Sequence, residues 1–67
     1  MKETSRERVE HEMKVCKRLE KSWQKRADQC YGKQEKEKEY IQAVNRSGVY
    51  GIMAIRLEKV LEQWEGD

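Results

Sequence analysis

Apolar residues recur along the first half of this chain at steps of three and four: Val9, Met13, Cys16, Trp23, Ala27 and Cys30. That spacing gathers them on one face of a single α-helix. The helix is expected to open at Thr4 or Ser5, either of which suits an N-cap, and to close after Tyr31, where Gly32 suits a C-terminal cap. Val9, Cys16, Trp23 and Cys30 stand seven apart. A seven-residue repeat drifts by about 20° per heptad on a straight helix, so the face should wrap left-handed around a neighbour, as in a coiled coil. Glu20 alone offends the stripe. It is either a side chain at a loose edge that reaches water or a polar layer that sets register at a cost in stability.

The KQEKEKE segment at 33–39 reads as a turn followed by the solvated start of a second helix. From Tyr40 to Trp64 the apolar positions separate into two stripes when placed at about 100° per residue. Ile41, Val44, Gly48, Ile52 and Ile55 occupy one arc, and Val49, Tyr50, Met53, Leu57, Val60, Leu61 and Trp64 a nearly opposite one. They overlap only between residues 48 and 55, within SGVYGIMAI (47–55), the uncharged stretch of a chain that is otherwise rich in charge, at 42% over its whole length. A helix that is apolar on all sides should be covered on all sides. Ala43, Ser47, Gly51 and Ala54 also keep helical spacing, and such small residues let another helix come close.

The fold expected from this pattern is all-α, a long antiparallel hairpin that self-associates. Its rival is a three-helix bundle with a break at Ser47-Gly48, where Ser47 would cap a third helix. A turn near Gly32 to Gln34 would make facing positions add to roughly 65. Trp23 would then face Ile41 or Gln42, Glu20 would face Asn45 beside Arg46, and Val9 would lie near Ile55. On that register the first helix covers the Ile41 stripe. The second stripe (Val49, Tyr50, Met53, Leu57, Val60, Leu61 and Trp64) is left as the expected partner-binding face, for a homodimer or for another protein.

Composition agrees with helices and narrows the chemistry. Proline and phenylalanine are absent, and Glu, Lys, Arg and Gln dominate, as in helices supported by pairs four residues apart. With 67 residues, 36% of them hydrophobic, and a mean hydropathy of -1.20, one small domain can barely offset its ordering entropy. Oligomerisation is one remedy. A disulfide is not: Cys16 and Cys30 on one helix would stand about 21 Å apart. Without an apolar run of membrane length, the expected setting is the reducing cytoplasm, with no membrane contact.

Residues 1–33 hold ten Lys or Arg against six acids, and residues 34–67 five against seven. The first helix is therefore basic. Lys14, Lys17, Arg18, Lys21, Lys25 and Arg26 are candidates to follow a phosphate backbone, although no base-reading motif accompanies them. Gly48-Val49-Tyr50-Gly51 superficially matches a nucleic-acid-binding Gly-x-x-Gly loop, but such loops belong to folds with strands, and packing explains these glycines better. His11, with Glu7 before it and Cys16 after it, lacks the three or four converging ligands of a metal site. The cysteines lack a base. No cofactor, metal or small-molecule substrate is inferred, and the expected function is that of a non-enzymatic interaction module: a small regulator, inhibitor, adaptor or chaperone.

Overall fold

The computed structural model describes residues 4–65. Helix α1 spans Ser5–Cys30, a 3-10 turn covers Gln34–Lys36, and helix α2 spans Glu37–Glu62. The two helices pack on each other as a hairpin. At the start of α1 the Thr4 Oγ1 accepts a hydrogen bond from the Glu7 backbone N–H at 3.1 Å, which satisfies one of the amides a helix start leaves without a partner. Its other end closes as the glycine position predicts. Tyr31 leaves helical geometry and Gly32 takes φ +76°, a left-handed conformation that glycine adopts without the penalty of a Cβ.

Helix α2 runs without a break through Ser47-Gly48. The three-helix alternative is thereby set aside. Gly48 and Gly51 both lie within regular helix, and neither has a positive φ.

The register differs from the expected one. Trp23 stands against Arg46, Glu20 against Gly51, Cys30 against Glu39 and Tyr31 against Tyr40, so facing positions add to between 69 and 71. The cause is the length of the connection. The connection is held by Lys33 N–H to the Cys30 carbonyl at 3.2 Å and, in the 3-10 turn, by Lys36 N–H to the Lys33 carbonyl at 3.0 Å, and it moves the midpoint of the hairpin from about 32 or 33 to about 35.

On this register Met13 lies at the level of Leu57, and Val9 at the level of Leu61. The face of α2 turned to α1 changes accordingly. Its buried residues are Ala43, Ser47, Gly51 and Ala54, the small-residue line, and those of α1 are Cys16, Ala27 and Cys30. Small side chains on both helices bring the backbones together, and the seam then continues through half-buried Leu57, Leu61 and Trp64. The Ile41 stripe, expected beneath α1, is instead exposed.

Candidate interaction surface

The line of α2 that α1 covers lies between the two apolar stripes, so parts of both are left open. Ile41, Val44, Ile52 and Ile55 of the first stripe are exposed, as are Val49, Met53 and Val60 of the second. Val49, Ile52 and Ile55 each keep more than half of their surface (56%, 54% and 55%), whereas Ala43 on the inner line keeps none. The remaining residues of the expected partner-binding face, Tyr50, Leu57, Leu61 and Trp64, are half-buried along the seam. The surface therefore retains Val49, Met53 and Val60 and gains Ile41, Val44, Ile52 and Ile55.

Sequence reasoning placed these four inside because it assigned the larger apolar residues to the seam. A signal pointing the other way was present. Small residues at positions 43, 47, 51 and 54 mark a close backbone approach, and a helix that approaches along that line cannot also cover both flanks.

Two glycines separate the inner and outer faces. A Cβ added at Gly51 would run into the Glu20 carboxyl group, whereas one added at Gly48 would meet nothing within 4 Å. Gly51 thus makes room for a side chain of α1. Gly48 lies among Val44, Ile52 and Ile55 on the outer face and makes room for nothing in its own chain.

The basic residues of α1 divide as well. Lys14, Lys17, Arg18, Lys21 and Lys25 are exposed and, at about 100° per residue, form a stripe opposite the seam. Among the described residues none of the five joins an ion pair, while Arg6 pairs with Glu10 at 3.3 Å. Arg26 does not share the stripe. Its guanidinium lies 5.6 Å from the centre of the Trp23 ring, and Arg46 of α2 lies 5.3 Å from the same ring, within the range of attraction between a cation and an aromatic face.

His11 is exposed, on the side of α1 away from the cysteines. Cys16 and Cys30 are free and buried, and the Cys30 thiol donates to the Glu39 carboxylate at 3.7 Å. Among the described residues no three His, Cys, Asp or Glu side chains gather where they could hold a metal ion, and no helix is long and apolar enough to cross a membrane. Comparison with family models, with curated proteins and with solved structures gives no significant match.

Proposed function

We propose that the protein is a non-catalytic interaction module whose working surface is the outer face of α2, where another polypeptide surface docks. One observation carries this reading. Seven large apolar side chains (Ile41, Val44, Val49, Ile52, Met53, Ile55 and Val60) are exposed on one helix, whereas α1 turns a charged face to solvent. An apolar patch of several hundred Å² is the scale at which a soluble protein's surface marks an interface. Chemistry is a poor fit, because His11 is turned away from the two thiols, and Cys30, the thiol that does meet a carboxylate, Glu39 at 3.7 Å, is itself buried. Free, unpaired cysteines suit a reducing compartment, and we place the protein in the cytoplasm.

The reading is tested by cross-linking the intact chain in cell extract, wild type against Ile52→Asp with Ile55→Asp. Cross-linked complexes should form with the wild type and be lost in the variant. Complexes that are indifferent to both substitutions, or none at all, would reject the outer face as the working surface.

A second reading, nucleic-acid binding by α1, draws on the unpaired stripe of Lys14, Lys17, Arg18, Lys21 and Lys25. It requires binding that weakens steeply between about 50 and 200 mM salt, with a slope that shrinks when Lys17, Arg18, Lys21 and Lys25 become glutamine. Little binding is expected even at low salt, because only five cations line the stripe and Arg26 is engaged with Trp23.

A further inference from the structure

We propose that the occupant of this face is a second copy of the chain, with α2 packed on α2 of its twin across a twofold axis and Gly48 at the closest approach; the proposal rests on the interface reading above. Three observations select a twin over an unrelated partner.

The first is what the hairpin lacks. Among the described residues the buried ones are all small, and no large side chain is fully buried. The two helices pack only on each other, and among the described residues no third element backs either of them. A chain of this size that cannot complete a core alone commonly does so by oligomerisation. The missing layer is needed wherever the chain is folded, and the one surface always present with the chain is another copy of it.

The second is Gly48. Within a helix, glycine is the least favourable residue after proline, and Gly51 alone is explained by a neighbour in its own chain. Gly48 is open on the outer face, midway between Ile41 and Ile55, where a second helix crossing α2 would use the absent side chain.

The third is charge. A twofold axis sets each face against itself. Within α1, eight Lys or Arg stand against five acids, so pairing through its outer stripe would oppose like charges. Within α2, four stand against four, and the outer face between Ile41 and Ile55 is mostly apolar. Between Ile41 and Ile55 the one charged residue is Arg46, which is engaged with Trp23, so pairing through that stretch sets little like charge against itself. The face runs about 29 Å from Ile41 to Val60, and doubling it across the axis brings the contact toward the roughly 1,000 Å² that a specific interface needs.

Sedimentation equilibrium of the intact chain over a concentration series provides the test. The wild type should show a reversible monomer–dimer equilibrium. Ile52→Asp should raise the dimer Kd by about a hundredfold, the loss expected at a central interface position. Gly48→Ala should raise it by about tenfold through overpacking, although the new methyl group has open space in the single chain and favours helix. This second variant adds no charge and keeps the proposal testable even where Ile52→Asp fails to fold. Lys17→Gln with Lys21→Gln, on the outer side of α1, should leave the Kd within about twofold, as substitutions outside an interface do.

A dimer insensitive to both Ile52→Asp and Gly48→Ala would overturn the proposal, and so would a wild type that stays monomeric to millimolar concentration. In the monomeric case, cross-linked complexes with other proteins that still depend on Ile52 and Ile55 would leave the interface reading in place and remove only the twin. Their absence would remove both.

Discussion

Glu20 and Gly51 form a complementary pair, a long side chain lying where the facing residue has none. Among the described residues the Glu20 carboxylate joins no ion pair or hydrogen bond. Its carboxyl lies over Gly51 on the buried line of α2 and the residue is half-buried, so it sits within the seam without being held there by polar partners. A double-mutant cycle measures the pairing. Gly51→Ala carries a helix-propensity gain of about 1 kcal/mol, but the new methyl group must displace the Glu20 carboxyl. That gain should appear in full only when Glu20 is also shortened to alanine. Urea titrations of the two single variants and the double variant should give a favourable coupling between them, and strict additivity would show that Glu20 yields at no cost.

At the scale of the helices, α1 and α2 divide their labour differently from what their patterns suggest. The face of α1 is legible in its sequence because its outer side is charged: Cys16, Ala27 and Cys30 are buried, and Val9, Met13 and Trp23 are half-buried. The face of α2 is ambiguous because apolar residues surround much of the helix, so periodicity cannot say which arc is inner. Contacts between the helices supply what periodicity lacks. Arg46 reaches from α2 over the Trp23 ring, whereas Arg26 reaches the same ring from within α1. Arg46→Ala should therefore cost the hairpin about 0.5–1 kcal/mol, the usual strength of an exposed cation–aromatic contact. Arg26→Ala should cost less, since its contact forms in an isolated helix as well. Thermal unfolding followed by circular dichroism tests the order of the two, and a larger loss for Arg26 would contradict it.

Taken whole, the molecule is an open layer. Its radius of gyration is 15.4 Å, against about 11 Å for a compact domain of this length. An elongated pair of helices with small buried residues has little cooperative core of its own, so its stability should be tied to association. If the outer face of α2 is closed by a second copy, the apparent Tm should rise by several degrees over a roughly hundredfold increase in protein concentration, as mass action requires. Calorimetry at the two ends of that range decides it, and a concentration-independent Tm with reversible unfolding would show that the hairpin stands alone.

By itself the sequence determined that the chain is helical on both sides of a turn near Gly32, where the first helix begins and ends, and which side of α1 faces inward, but not whether the second half breaks at Ser47-Gly48. Those properties depend on local chemistry: a threonine cap, a glycine able to take a positive φ, and charges that keep one face in water. The register and the inner line of α2 were decided only by the tertiary structure. The length of the connection sets the level at which residues meet, and about six positions of difference exchanged Asn45 for Gly51 opposite Glu20. Which arc of α2 lies inward depends on how closely two backbones can approach, and that is a property of the pair. Small residues on both helices favour Ala43, Ser47, Gly51 and Ala54 at the seam, and Ile41, Val44, Val49, Ile52 and Ile55 turn outward because the space nearest α1 is already filled by close-packed backbone.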